Sequence, residues 1–143
     1  SGIHLGVAIA LRGGGLVAPA LHGVDGLDSA AITRALLDLV RRTRAGSLRS
    51  SEIADATLTV TNLGEHSVTS VFGVIYPPQV ALVGFGRIAT RPWVGAQGGV
   101  RALPMLTATL AADHRASDGH RGALLLAEIR ELLQEPQTLD ASA

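Results

Sequence analysis

The sequence predicts an α+β fold in two layers, a mixed β-sheet covered by two main helices. Strand-like apolar segments are the most numerous elements, and two longer segments carry apolar residues at helical spacing. Their order along the chain is β-β-α-β-β-β-β-α, without an internal repeat or a linker. A length of 143 residues fits a single domain.

The first third of the chain predicts a hairpin followed by a helix. Residues 3–11 and 16–19 are strand-like and flank the glycine-rich turn 12–15. After a polar loop, Asp28 or Ser29 is expected to cap a helix that ends before Gly46. The apolar face of this helix consists of Ile32, Leu36, Leu39 and Val40. Its last turn contains Arg41, Arg42 and Arg44, where cations suit the helix dipole, and the alternative for them is a phosphate-binding role.

The middle of the chain predicts short β elements. Residues 50–53 indicate one helical turn, and residues 57–61 alternate as in a strand. Residues 67–76 are rich in β-formers, and residues 79–83 predict a further strand. The Gly84-Phe85-Gly86 sequence that follows lacks the third glycine and the helix of a dinucleotide-binding loop. It therefore favours a bulge or a close approach of another backbone segment.

The last third predicts a hairpin, a strand and a long helix. Residues 90–99 form the hairpin around Trp93, and residues 105–112 form the strand. Residues 119–135 form the helix, and residues 137–143 a short tail. The expected buried stripe of the helix is Leu125, Ile129, Leu132 and Leu133.

The composition excludes several kinds of chemistry. The chain has no cysteine and no lysine, which excludes disulfides, thiolate catalysis, a lysine Schiff base and a lysine-attached prosthetic group. The net charge of zero gives no indication of nucleic-acid or membrane-surface binding. No apolar run approaches the length of a membrane span, and no signal-peptide pattern opens the chain. These features predict a soluble, cytoplasmic protein, and the lysine-free composition favours a bacterial source.

The candidate chemistry lies between the last predicted strand and the last helix. His114 follows an apolar strand, and histidine is the usual general base near neutral pH, although a structural role is an alternative. Asp118 can orient the imidazole ring, hold a neighbouring arginine such as Arg115, or simply cap the helix. No histidine has metal-ligand spacing beside carboxylates, so no metal site is expected.

Four stretches carry a resemblance to a known family. The Asp-His-Arg-x-x-Asp-Gly sequence at 113–119 resembles the signature of the dihydrolipoamide acyltransferases, the acyltransferase components of 2-oxo-acid dehydrogenase complexes, whose catalytic domain resembles chloramphenicol acetyltransferase in fold. The other similar stretches are 57–64 (TLTVTNLG), 77–84 (PPQVALVG) with Gly86-Arg87, and the strand pair at 5–10 and 15–19. Their order and spacing agree with the family along nearly the whole chain.

The resemblance implies an activity and a site. The reaction would move an acyl group between dihydrolipoamide and coenzyme A, with coenzyme A as a substrate and the lipoyl group on a domain outside this chain. His114 would be the general base that removes the thiol proton, and Thr61 would donate a hydrogen bond to the tetrahedral oxyanion. Asp118 would fix the loop and the orientation of the ring. The sequence at 62–64 (NLG) favours acetyl- or branched-chain-transferring members.

The resemblance also implies an assembly. In this family the histidine and the hydroxyl come from different subunits of a homotrimer, and trimers form a larger cubic or icosahedral core. The decarboxylase and dihydrolipoamide dehydrogenase components of the complex would be partners. Residues 1–143 would be the C-terminal part of the catalytic domain, with neither the lipoyl nor the peripheral-subunit-binding domain.

Some residues depart from the family pattern. Ala116-Ser117 replaces a bulky aliphatic pair, Asp55-Ala56 replaces a Gly-Gly pair, and His120 stands where a small residue is common. The tail at 138–143 is less apolar than in many members, which leaves the larger core open. Two alternatives therefore remain: a core-forming scaffold without activity on its own, and an acyltransferase for another acceptor.

Overall fold

A five-stranded mixed sheet is the centre of the fold in the computed structural model, which describes residues 2–139. The strands are β1 (Leu5–Val7), β2 (Ile9–Ala10), β3 (Leu16–Val17), β4 (Ala20–Leu21), β5 (Leu58–Asn62), β6 (Ala81–Phe85), β7 (Ala89–Val94), β8 (Val100–Met105) and β9 (Ala108–Ala112). The helices are α1 (Ser29–Arg44), α2 (Ser50–Ala54) and α3 (Gly119–Gln134). The predicted α+β class, with a mixed sheet and two main helices, is confirmed.

The sheet has the strand order β4-β1-β5-β6-β9, and two hairpins, β2-β3 and β7-β8, lie beside it. Strand β5 is parallel to both β1 and β6, whereas β9 and β4 run antiparallel to their neighbours. The C-terminal end of β9 therefore lies at the same end of the sheet as the N-terminal ends of β5 and β6. This direction decides where the residues after β9 are placed.

The predicted strand at 3–11 is divided between two sheets. Strand β1 pairs with β4 and β5, and β2 leaves the central sheet to pair with β3. The turn at 12–15 is confirmed, because the amide of Leu11 donates to the carbonyl of Gly15 at 3.1 Å. Periodicity alone does not show this division, since both halves have the same apolar pattern.

Helix α1 follows the prediction closely. The Asp28 side chain caps its first turn by accepting from the amide of Ala31 at 2.6 Å, and Leu39 is fully buried on the face toward the core. At the other end, both terminal nitrogens of Arg42 donate to the carboxylate of Glu52 at 2.6 Å. Arg42 therefore has a structural role as an ion-pair partner that joins α1 to α2.

The prediction of β structure at 67–76 is wrong. This segment crosses the face of the sheet instead of pairing with its edge, so its backbone makes no ladder hydrogen bonds. The hydroxyl of Thr109 on β9 donates to the carbonyl of Val71, and the amide of Arg87 donates to the carbonyl of Val68 at 2.7 Å. A Cβ atom at Gly86 would collide with the Thr69 carbonyl group, which confirms the predicted close approach.

The last third differs from the prediction in two places. The strand predicted at 105–112 is interrupted at 106–107, so Met105 ends β8 and β9 begins at Ala108. The stripe predicted on the last helix is wrong for Leu125, Leu132 and Leu133, which are exposed at 36–45%, whereas its fourth residue, Ile129, is half-buried. The half-buried residues of α3 include Gly122, Leu126 and Ile129. The leucines of α3 lie on several sides of the helix, so their spacing alone does not identify which side is buried.

Two further observations bound the fold. Residues 136–139 form a short 3₁₀ turn after α3, and residues 140–143 of the predicted tail lie outside the described residues. Among residues 2–139, no helix is long and apolar enough to cross a bilayer.

Candidate active site

The loop after β9 is held together by its own first residue. The backbone carbonyl of Asp113 accepts from the amides of Ala116 and Ser117 at 2.9 and 3.0 Å. Its carboxylate accepts from the Arg115 amide at 2.9 Å and from the Arg115 guanidinium at 2.7 Å. Hydrogen bonds from the Arg115 side chain and then from its amide lower the pKa of Asp113 to about 2. The loop therefore keeps a charged anchor at neutral pH.

His114 lies in this loop with a free imidazole. Its side chain is exposed, and it makes no hydrogen bond to any residue within 2–139. By contrast, Nδ1 of His4 accepts from the amide of Gly23, and Nε2 of His22 is 3.1 Å from a carboxylate oxygen of Asp55. A ring with both nitrogens uncommitted can accept a proton from an incoming group.

Asp118 caps helix α3 directly after the loop. Its Oδ1 atom accepts from the amide of Arg121 at 2.9 Å, so the capping interpretation is confirmed. The proposed contact from Asp118 to Arg115 is not found, because Asp113 holds that guanidinium. Sequence reasoning missed the role of Asp113. The available signal was the position of Asp113 two residues before Arg115, whose amide donates a hydrogen bond to it, which is the pattern of an Asx-turn.

Thr61 is the last of three threonines at alternate positions on β5 and the residue before it. The hydroxyl of Thr57 donates to the carbonyl of His4 at 3.1 Å, and that of Thr59 donates to Oε1 of Gln79 at 2.5 Å. The hydroxyl of Thr61 has no such partner among residues 2–139, and the side chain is half-buried. It is therefore available as a donor to a ligand.

The two uncommitted groups lie at opposite ends of the sheet. The amide of Asp113 donates to the carbonyl of Val80, whose own amide donates to the carbonyl of Thr57. These three residues therefore lie side by side at one end of the sheet. Thr61 is four residues further along β5 and two strands away from β9. This places the Cα atoms of Asp113 and Thr61 roughly 16 Å apart, from about 3.3 Å per residue and about 4.8 Å per strand. Within one chain, the site is divided.

Each end of the sheet has a groove. A groove of ≈ 390 Å³ lies between β9 and the start of α3, and His114, Ser117 and Asp118 are part of its lining. A groove of ≈ 540 Å³ lies at the other end, where Asn62, the neighbour of Thr61, forms part of the lining together with Leu133 of α3. Within residues 2–139, no cluster of three or more His, Asp or Glu side chains has the arrangement of a metal site.

Comparison with solved structures first establishes the class of fold. The chain superposes with a TM-score of 0.85 on a probable dihydrolipoamide acetyltransferase from Listeria monocytogenes, at 26% identity over 93% of this chain and 56% of that chain. The TM-score is also 0.85 for the cubic core of a pyruvate dehydrogenase multienzyme complex, at 23% identity over 96% of this chain and 56% of that one. The fold is therefore that of the chloramphenicol acetyltransferase-like catalytic cores.

The family follows from the sequence comparisons. The model for the 2-oxoacid dehydrogenases acyltransferase catalytic domain matches residues 1–140, so the chain belongs to this family. It is 36% identical over 138 residues to the acetyltransferase component of the pyruvate dehydrogenase complex of Mycobacterium bovis, covering 92% of this chain and 24% of that protein. It is also 36% identical over 125 residues to the succinyltransferase component of the 2-oxoglutarate dehydrogenase complex of Escherichia coli, covering 87% and 31%. The chain thus spans about a quarter to a third of these relatives.

Proposed function

We propose that this chain is the C-terminal part of a catalytic domain that moves an acyl group between dihydrolipoamide and coenzyme A. The observation that carries the proposal is the uncommitted imidazole of His114, presented by a self-bonded loop within the family's motif. In this proposal coenzyme A is a substrate, and the lipoyl group arrives on a domain outside residues 1–143.

The proposed chemistry uses two side chains. The imidazole of His114 removes the proton from the attacking thiol, whose ordinary pKa of about 8.5 leaves little thiolate at neutral pH. The thiolate attacks the thioester carbonyl carbon, and the Thr61 hydroxyl donates a hydrogen bond to the oxyanion that forms. Collapse of this intermediate breaks the original carbon–sulfur bond, and the imidazolium returns its proton to the leaving thiolate. Asp118 contributes by fixing the start of α3 next to the loop.

The divided site supports a shared active site between subunits. A base and an oxyanion donor must approach the same reacting carbonyl within a few ångströms, which a separation of roughly 16 Å along one sheet prevents. We therefore propose that His114 of one subunit works with Thr61 of a neighbouring copy in a homotrimer. A larger cubic or icosahedral core, with the decarboxylase and dihydrolipoamide dehydrogenase as partners, extends the same proposal.

A scaffold role is the second candidate. Phe72, Val74 and Tyr76 of the crossing segment are 80–89% exposed, and exposed apolar clusters are typical of surfaces that bind another protein. A scaffold would need these surfaces and would not need His114. Retention of a free imidazole and a free hydroxyl favours the enzyme.

The experiment that separates these functions is acyl transfer to dihydrolipoamide in the protein's native assembly. Acetyl-, isobutyryl- and succinyl-coenzyme A serve as donors, and His114→Ala is compared with His22→Ala, a histidine that is bonded to Asp55 outside the motif. The enzyme hypothesis predicts a loss of about 10²- to 10⁴-fold in His114→Ala only. Transfer at the unsubstituted rate in both variants would refute the role of His114, and no transfer with any donor in the unsubstituted protein, with assembly intact, would leave the scaffold.

A further inference from the structure

The groove beside His114 is lined mainly by apolar and small residues. Leu110 and Ala112 of β9 form one wall, and Gly122 and Leu126 of α3 form the other. Ser117 closes the end next to the histidine loop, and its hydroxyl is turned to the backbone carbonyl of Asp118 at 3.3 Å. The volume of ≈ 390 Å³ is far larger than a two-carbon acyl group requires.

Two glycines belong to the lining of the groove, and they lie in different surroundings. A Cβ atom at Gly122 would lie 3.2 Å from Cδ2 of Leu110, so this glycine allows α3 to approach β9 closely. A Cβ atom at Gly119, the first residue of α3, would meet nothing within 4 Å, so the groove is open at this end. The groove is therefore a built feature of the contact between strand and helix.

The electrostatic character of the groove limits what can enter it. No arginine belongs to its lining, and the ionisable side chains of that lining are His114 and Asp118. The Asp118 carboxylate caps α3, and a second carboxylate placed beside it would be repelled. The Arg115 guanidinium next to the loop is already bound to Asp113. An apolar group is thus preferred over an anionic one.

We infer that this groove holds the acyl chain of the thioester and selects apolar acyl groups larger than acetyl, branched or short linear, against dicarboxylic ones such as succinyl. This inference rests on the proposed function, because it uses His114 as the base. A thiol that gives its proton to His114 lies within hydrogen-bond reach of the ring, and the acyl chain begins one bond from the attacked carbonyl carbon. The groove is the apolar space that adjoins this position. Ser117 is then a specificity-determining residue.

The test replaces Ser117 with a residue that fills the groove. We compare Ser117→Leu with Ser117→Ala, which removes the hydroxyl but keeps the space, and measure kcat/KM for acetyl-, isobutyryl-, isovaleryl- and succinyl-coenzyme A. In the unsubstituted protein, isobutyryl and isovaleryl should exceed succinyl at least 10-fold. Ser117→Leu should lower kcat/KM for the two branched donors by about 10-fold or more relative to acetyl, since one or two misplaced carbons in an apolar pocket have this effect. Ser117→Ala should keep the original order.

Two outcomes would overturn the inference while the proposed function stands. The first is an unchanged order of donors in Ser117→Leu, and the second is an equal fall for every donor, acetyl included, which would assign the groove to the arm of the thiol carrier. Absence of transfer with every donor would instead refute the proposed function and the inference with it. If Ser117→Leu fails to fold, Ala123→Val on the exposed side of the groove is the substitute, with the same expected shift.

Discussion

Subunit complementation is the sharpest test of the divided site. Two variants are prepared, His114→Ala, which lacks the proposed base, and Thr61→Val, which lacks the proposed oxyanion donor. Each alone should lose activity, by about 10²- to 10⁴-fold for the base and about 10²- to 10³-fold for the donor. The two are then mixed in equal amounts under conditions that dissociate and reassemble the oligomer.

The expected activity of the mixture follows from the geometry. Because Asp113 and Thr61 lie at opposite ends of one sheet, each complete site of the proposed kind needs a histidine from one chain and a threonine from its neighbour. In random assembly, the chain that supplies the histidine of a site has an intact His114 with a probability of about one half. The neighbour that supplies the threonine has an intact Thr61 with the same probability. About a quarter of the sites are then complete, and the mixture should recover about 25% of the unsubstituted activity.

A matched control distinguishes shared sites from sites within one chain. The unsubstituted protein is mixed in equal amounts with the double variant His114→Ala/Thr61→Val and reassembled in the same way. If the sites are shared, the mixture should have about a quarter of the activity of the same total amount of unsubstituted protein. If each site lies within one chain, the mixture should have about half of that activity. The reasoning is refuted if the two single variants recover nothing when mixed and the control gives one half.

Three further changes test other parts of the structure. Glu52→Gln should destabilise the protein by about 2 kcal/mol in urea unfolding, since Arg42 is left partly buried with a weaker partner. Hydrogen bonds from Arg42 lower the pKa of Glu52 from 4.5 to about 2. The stabilisation by this ion pair is therefore present above pH 4.5 and disappears as the pH falls toward 2. A difference in unfolding free energy between Glu52→Gln and the unsubstituted protein that persists at pH 2 would contradict this cause. Gly86→Ala should lower the unfolding free energy by about 2 kcal/mol because its Cβ meets a backbone carbonyl, whereas Gly13→Ala, with nothing within 4 Å, should change it little; similar effects of both would refute the close approach. Asp118→Ala should lower thermal stability by about 1 kcal/mol and reduce kcat, and Asp118→Asn, which keeps the cap, should restore both; activity lost equally in Asn would show a role for the charge.

Much of the local structure was predictable from neighbouring residues. Asp28 caps α1 because a short acidic side chain can reach the amide of Ala31, and this needs no tertiary contact. The turn at 12–15 and the alternation at 57–61 are local in the same way. The predictions that failed concern partners: the crossing segment at 67–76 has β-forming residues, but its backbone passes over a sheet face instead of joining an edge.

The face of α3 shows the same limit. Leucines at 124–126 and 132–133 allow more than one inner side, and the contact of Gly122 with Leu110 decides which side meets β9. The sequence contains the glycine, but only the packed structure shows that it is the point of closest approach. The groove beside His114 results from that contact and was therefore not predictable.

The candidate site divides along the same line. The sequence by itself indicated the family, and its motifs of consecutive residues named His114, Asp118 and Thr61 as the candidates for the chemistry. The structure selected the helix cap among the local roles open to Asp118 and showed that Asp113 anchors the loop. Only the tertiary structure decided that His114 and Thr61 are at opposite ends of the sheet. Motifs are local properties of the chain, whereas strand direction and register depend on pairing between residues far apart in sequence.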